Sequence, residues 1–483
     1  MISRRNLLAA GALSGAGLVI PAGEHLRAVA SSGGQHGHGT HGGSPPRGAA
    51  PTGTPFSVRM PVPPVAMPVR SWGGVDHYRI PIRTASVELL PGVRTPVLSY
   101  GGGFVGPTIR ARAGRRIRVE YHNQLDHPAN VHLHGGHVAP EDDGHPMDVI
   151  APGRSRVYDY PNRQRGATLW YHDHSHHTEA EHVYRGLHGF YLIDDPQERH
   201  LRLPDGPYDV PIMLRESRFD EQGNLYFDPF DFDRPVVLVN GRPQPYFPVA
   251  ARRYRLRLLN ASTHGTLTLH LDGLPMVQVG TDGGLLPAPV PVTELRLGPA
   301  ERADVVVDFS RRRPGSQVVL SETRGPVLRF DVVRHAHDHS RLPDRLRPLP
   351  ALPPPTVRRE VVLSTNFETI ESLINGKLWD PDRIDFRIRH GATEVWRITN
   401  TDTEFGGVNH TFHMHLVQFR VLDRNGRPPA PGERGLKDTV FLAPGESVRV
   451  QATFRGYLGR YVYHCHMLEH SAYGMMAQLR IVP

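Results

Sequence analysis

The 483-residue chain carries 56 lysines and arginines against 48 acidic residues, a formal net charge of +8, and a single cysteine. The basic excess is arginine spread along the chain, with Lys377 and Lys437 the only lysines and no basic helix or aromatic-basic module, which argues against a nucleic-acid partner. One cysteine excludes an intramolecular disulfide, and no stretch is long and apolar enough for a membrane-spanning helix, so no stable membrane insertion is expected.

The chain opens with Ser3-Arg4-Arg5-Asn6-Leu7-Leu8, an uncharged run over residues 7–21, and the small-residue site Ala28-Val29-Ala30. This pattern predicts a twin-arginine (Tat) signal peptide over residues 1–30, removed on export. The Tat translocase is then a transient partner, and the mature protein is periplasmic or secreted. Residues 31–54 are Gly, His, Ser and Pro with almost nothing to bury, and predict a flexible leader. Its His36, His38 and His41 read as solvated linker residues.

From there the pattern is all-β. Arg116-Ile117-Arg118-Val119-Glu120-Tyr121, Arg253-Tyr254-Arg255-Leu256-Arg257-Leu258 and Ser447-Val448-Arg449-Val450 alternate polar with apolar, as a strand with one buried face requires. The strands recur. Asn123, Asn260 and Asn400 each end such a strand, about 140 residues apart, the spacing of whole domains. Val239-Asn240-Gly241 and Ile374-Asn375-Gly376 precede the second and third. Ala151-Pro152-Gly153, Leu297-Gly298-Pro299 and Ala443-Pro444-Gly445 occupy matching places further on. Three copies of one Greek-key β-sandwich are expected, over residues 55–203, 204–345 and 356–483, with 346–355 a proline-rich linker.

Four histidine motifs lie in register with the repeat: His132-Leu133-His134, His172-Asp173-His174, His410-Thr411-Phe412-His413-Met414-His415, and Tyr463-His464-Cys465-His466-Met467-Leu468-Glu469-His470 with Met475 beyond. The second copy carries none. Along an extended strand, side chains alternate between faces. His464 and His466 then point one way and Cys465 the other, so one strand serves two metal sites. A cysteine with histidine and a weak methionine is the ligand set of a blue-copper site, and imidazole suits copper generally. The last motif is read as extended through to His470. His176, His177, His182 and His188 follow in what reads as a loop, with His176 and His177 facing solvent or lying behind the ligands; His335, His337 and His339 read as a surface tract.

The four motifs, with Trp170-Tyr171-His172-Asp173-His174 and Gly280-Thr281-Asp282-Gly283-Gly284, resemble those of laccase-type multicopper oxidases, the group of spore-coat laccase, bilirubin oxidase and phenoxazinone synthase. The resemblance covers nearly the whole mature chain and implies three cupredoxin-like domains and four coppers. It implies type 1 copper on His410, Cys465, His470 and Met475, and type 2 on His132 and His413. It implies the type 3 pair on His134, His172, His174, His415, His464 and His466, between the first and third domains. The implied reaction takes electrons singly from small organic reductants such as phenols, aminophenols or bilirubin-like donors and reduces dioxygen to water. Cu(I) is the alternative donor, in a cuprous oxidase for copper tolerance; a non-enzymatic structural protein is the other alternative. Many relatives place an acid after the residue matching His470, where this chain has Ser471, and Asp143 is the candidate proton relay; the competing reading makes Asp143 a turn residue before Gly144. The methionines form no cluster, and residues 378–405 read as strand and loop that leave the type 1 edge open to bulky organic donors.

Overall fold

The computed structural model describes residues 53–483, so the expected signal peptide and nearly all of the expected leader lie outside the described residues. The chain forms three pairs of sheets. In the first, strands Val75–Glu88, Arg94–Tyr100, Arg116–Asn123 and Ser155–Tyr160 face a sheet of Gly106–Arg112, His132–His134, Ala167–His172 and His188–Asp194. Ile80, Val119 and Tyr121 from one sheet and Ile109, Leu169 and Tyr191 from the other close a single core. A seven-stranded and a five-stranded sheet make the second pair over Leu256, Val305, Leu269 and Phe330. Two five-stranded sheets make the third over Val361, Ile398, Phe412 and Leu479. The architecture is all-β, as expected. No helix among the described residues is long and apolar enough to cross a membrane.

The recurring asparagines have one physical job. Each is buried at a strand end, accepts a backbone N–H two residues on, and donates Nδ2 to carbonyls of neighbouring loops. Asn123 Oδ1 accepts from Leu125 N at 3.0 Å, while its Nδ2 reaches His127 O and Ile150 O, both at 2.8 Å. Asn260 repeats this with Ser262 N, Gly265 O and Leu297 O, and Asn400 with Asp402 N, Val408 O and Ala443 O. A buried amide used this fully tolerates no shorter or apolar substitute.

Three local expectations are corrected. The strand carrying Cys465 is Gly459–Cys465 and stops there; Leu468–Ala472 is a short helix, so His470 returns to Cys465 by a helical turn. The stretch after His174 is also a helix, Glu179–Arg185, and the two helices pack on each other through Ala180, Val183, Leu468 and Ala472. The arginine face of Arg253–Asn260 is buried: Arg257 reaches Asp209 at 2.6 Å and Thr168 Oγ1 of the first pair at 3.0 Å. Alternation there separates a core face from a face covered by another unit.

Candidate metal centre

Strand pairing sets the histidines side by side. His132–His134 lies antiparallel to Ala167–His172, with His132 opposite His172. His410–Met414 lies against Gly459–Cys465, with His413 opposite His464 and Phe412 opposite Cys465. The edges of these two sheets meet, and eight imidazoles from the first and third units converge. His134 stacks on His413 at 3.7 Å between ring centroids, and His132 on His415 at 3.8 Å.

The orientation of these rings is fixed from outside. Nδ1 of His132 donates to Asp143 O at 2.6 Å, of His172 to Asp173 O at 2.8 Å, of His413 to Asp438 O at 2.8 Å, and of His464 to Cys465 O at 2.9 Å. A carbonyl can only accept, so in each ring the Nε2 lone pair is left pointing inward. Nε2 of His132 and of His413 has no protein partner. Nε2 of His464 faces Nε2 of His174 at 3.1 Å and of His415 at 3.3 Å, and His172 faces His466 in the same way at 3.4 Å. Burial and neighbouring imidazoles hold His132, His134, His174, His415, His464 and His466 well below the ordinary histidine range; His172 falls to about 3 and His413 to about 4. Neutral imidazoles in a dry pocket, lone pair toward lone pair, suit metal ions placed between them. Candidate ligand atoms of His132, His413 and His415, of His132, His134 and His172, and of His174, His415 and His464 lie within 4.8 Å of one another in each group.

On the other side of the strand, Cys465 Sγ lies 3.6 Å from His410 Nδ1 and 3.7 Å from His470 Nδ1. Met475 is buried beside them, its N bonded to His470 O and its O to Cys465 N. His410 Nε2 is held by Asp402 Oδ2 at 2.9 Å. Burial lowers the His410 pKa, but Asp402 and Cys465 outweigh that and hold it at about 9. His470 has no such partner, and burial with His410 beside it pushes it well down. A sulfur and two imidazole nitrogens converging in this way fit copper.

Several residues of the site were not legible as such. Asp438, 3.0 Å from His134 Nε2, is clamped by Arg302 at 2.7 and 2.6 Å. Asp402 gives no signal beyond being an acid eight residues before a histidine. Asp143 closes a 3-10 turn, Pro140–Asp142, before Gly144, and its Oδ2 lies 2.7 Å from His415 Nδ1. Ser471 Oγ lies 3.1 Å from Glu179 Oε1. His177 is exposed, His176 half-buried, and His335, His337 and His339 are exposed.

His470 also forms part of the wall of an open cleft with Phe230, Phe232, His264, Phe367 and Tyr473. His264 stacks on Phe232 and meets His470 edge-on at 5.5 Å. Residues 378–405 do not line it; the walls come from the second unit, from residues 365–372, and from Val408, Glu469 and Tyr473.

A thiolate–imidazole set wired by one peptide on either side to a larger imidazole set defines an electron-transferring copper oxidoreductase. The description multicopper oxidase is matched over residues 82–198, 235–325 and 351–483. The chain is 35% identical over 512 residues to a laccase of Bacillus stratosphericus, covering 88% of this chain and 99% of that protein. It is 32% identical to a bilirubin oxidase of Albifimbria verrucaria, covering 87% and 80%. The crystal structure of a laccase from Pediococcus acidilactici superimposes with a TM-score of 0.85 at 34% identity, over 92% and 97% of the two chains. The chain belongs to the multicopper oxidase family. It is a laccase-like, copper-dependent oxidoreductase with oxygen as acceptor, and its cofactor is copper of types 1, 2 and 3.

Proposed function

We propose that the chain oxidises phenolic, aminophenolic or bilirubin-like donors, with His410, Cys465, His470 and Met475 holding type 1 copper, His132 and His413 type 2, and His134, His172, His174, His415, His464 and His466 the type 3 pair. The observation that carries the reading is the two-sidedness of one strand end: Cys465 Sγ faces His410 and His470, while His464 and His466 turn into the other imidazole set. When bound, copper supplies one-electron uptake from the donor and four-electron delivery to dioxygen. The chain supplies the rest. His470, partly exposed in the cleft, offers the donor an edge through which an electron can enter. Cys465 links that side to His464 and His466 through single peptides. The Nδ1 anchors keep the inner nitrogens aimed without reorganisation.

The cleft favours flat organic donors. Its walls are aromatic, and no methionine lines it, so the soft thioethers that would bind Cu(I) are absent from the edge where the donor arrives. The test compares phenols, aminophenols, bilirubin and Cu(I) on the copper-loaded protein. Organic donors are expected to turn over without added copper. Cu(I) oxidised more efficiently than every organic donor, with organic turnover needing excess copper, overturns the substrate reading in favour of copper detoxification.

Asp143 serves the oxygen end. One carboxylate oxygen meets His415 Nδ1 and the other is buried without a partner, free to hold or pass a proton. Asp143→Asn is expected to slow oxygen reduction about 10²-fold while donor reduction of the type 1 copper keeps its rate. Unchanged turnover would leave Asp143 with its turn alone.

The reading includes Tat export to the periplasm or beyond, supported by Ser3-Arg4-Arg5-Asn6-Leu7-Leu8 and Ala28-Val29-Ala30. It also takes the units as 55–203, 204–345 and 356–483 around a linker at 346–355, supported by where the three sheet pairs begin and end.

A further inference from the structure

Reducing one dioxygen to two waters consumes four protons as well as four electrons. The imidazole set is enclosed, and in His132, His172, His413 and His464 the Nδ1–H is committed to a carbonyl, while His415 Nδ1 meets Asp143. Protons must therefore come from groups beside the rings. One buried acid outside the ligand set has no cation paired with it. Glu179 opens the helix Glu179–Arg185, five residues after His174, and is fully buried. Among the described residues its one side-chain hydrogen-bond partner is Ser471 Oγ at 3.1 Å, and its Oε2 has none. Ser471 lies five residues after His466, on the helix Leu468–Ala472. The two chain segments that leave the imidazole set on opposite units thus meet in a carboxyl–hydroxyl pair.

We propose that Glu179, with Ser471, is a proton-relay pair for oxygen reduction, separate from Asp143 and resting on the oxidase reading above. A proton delivered to Ser471 Oγ displaces the hydroxyl proton onto Glu179 Oε1, and Oε2 releases its own toward the reduced oxygen. Each pass forms one O–H bond and breaks one at Ser471 and again at Glu179; the carboxyl is then protonated on Oε1, and its rotation carries that proton to the Oε2 position before the next of the four protons.

The surroundings keep Glu179 loaded. Burial raises its carboxyl to about 8, against a smaller lowering by its own backbone N–H and by Ser471; Asp173, between the two histidines of the first unit, and Glu469, on the facing helix, push it further up. His182, on the same helix, is turned to Asp173 and not to Glu179. Tyr473, just past the end of the facing helix, is pushed up chiefly by burial, with Glu469, Asp228, Glu181 and Glu179 adding to it. Of the buried cations of this region, Arg234 is held by Glu216 and Glu469, and Arg215 donates to Val183 O on the helix of Glu179 and lies over Tyr184. Neither is paired with Glu179, and near neutral pH it is a neutral acid with a proton to give.

The test is Glu179→Gln, which keeps the shape and a hydrogen bond to Ser471 but carries no acidic proton. In the copper-free protein, the infrared carbonyl band of one protonated carboxylic acid should be lost from the variant at neutral pH, and in the wild type that band should titrate away near pH 8. In the copper-loaded protein, reoxidation by dioxygen should slow about 10²-fold with an altered pH profile, while anaerobic reduction of the blue copper by donor keeps its rate. Adding Ser471→Glu should restore reoxidation by returning a carboxyl to the same pair. Wild-type reoxidation and pH profile in Glu179→Gln, or no such band in the copper-free wild type, overturns the proposal. If Glu179→Gln does not accumulate folded, Ser471→Ala takes its place, and an unchanged reoxidation rate there overturns it equally. Failure of the oxidase reading would appear differently, as a wild type that consumes no oxygen.

Discussion

Replacing Cys465 by serine is expected to abolish the intense blue absorption of the copper-loaded protein and to reduce donor oxidation to background. The thiolate is what makes a copper site blue and what couples it to the flanking ligands; a serine hydroxyl is a hard, weak ligand that does neither. The change is nearly isosteric and Cys465 is fully buried between Phe412 and Met475, so the fold should survive. The imidazole set does not use Sγ. Its copper should therefore keep a paramagnetic signal in the variant, and dioxygen should still reoxidise it once it is reduced chemically. Measured together, absorption, copper content and paramagnetic resonance separate three cases. Loss of blue with retained cluster signal supports the two-sided strand. Loss of all copper would make Cys465 a folding residue. A wild type that is fully metallated, oxidised and colourless would sink the assignment of Cys465 as a ligand.

What could be read from the sequence follows from period. A strand alternates every residue, so Cys465 sorts onto the face opposite His464 and His466 from spacing alone, and His132 with His134, like His172 with His174, share a face because they are two residues apart. The three-fold recurrence was legible because the buried asparagine at each strand end is the same hydrogen-bonding device three times over. The two helices were not legible: Glu179–Arg185 and Leu468–Ala472 are too short to show a helical period, and the second is dense with Glu, His and Ser. The arginine face of Arg253–Asn260 was misleading because strand alternation gives polarity, not exposure, and the carboxylates of Asp209 and Asp304 in the same unit, with the Thr168 hydroxyl of the first, stand in place of water. Asp438, Glu179 and the aromatic walls of the cleft are long-range partners. Asp438 lies 304 residues from His134 and Glu179 lies 292 from Ser471, and no local pattern joins them.

Arg302→Met is expected to destabilise the copper-free protein by about 3–5 kcal/mol, as removing one partner from a buried ion pair does. Arg302 is fully buried where the three units meet. Its Nε donates to Thr168 O of the first unit at 2.9 Å, its Nη2 to Asp282 O of the second at 3.2 Å, and Nη1 and Nη2 clasp Asp438 of the third at 2.7 and 2.6 Å. Methionine fills much of the volume but leaves Asp438 without its main cation, since Lys437 is engaged by Asp282 and Glu301 at 3.1 and 3.2 Å. The pH dependence has a defined sign. Burial alone would raise the Asp438 carboxyl; Arg302 outweighs this and holds it below the ordinary range. The wild-type contribution is therefore present above that range and lost in acid as Asp438 takes up a proton. Without Arg302, burial dominates and the folded carboxyl moves above the unfolded value, so the penalty grows as pH rises through the unfolded carboxylate range. The gap in urea midpoint between wild type and variant should be widest near neutrality and should narrow on acidification. Adding Asp438→Leu should recover part of the loss, because no buried charge is then left unpaired. Asp438 also fixes His134 through Nε2 and His413 through its carbonyl, so Arg302→Met should lower copper occupancy of the cluster before that of the Cys465 site. Equal midpoints at neutral pH would mean that the units are held together by their apolar contacts and that this guanidinium is dispensable to them.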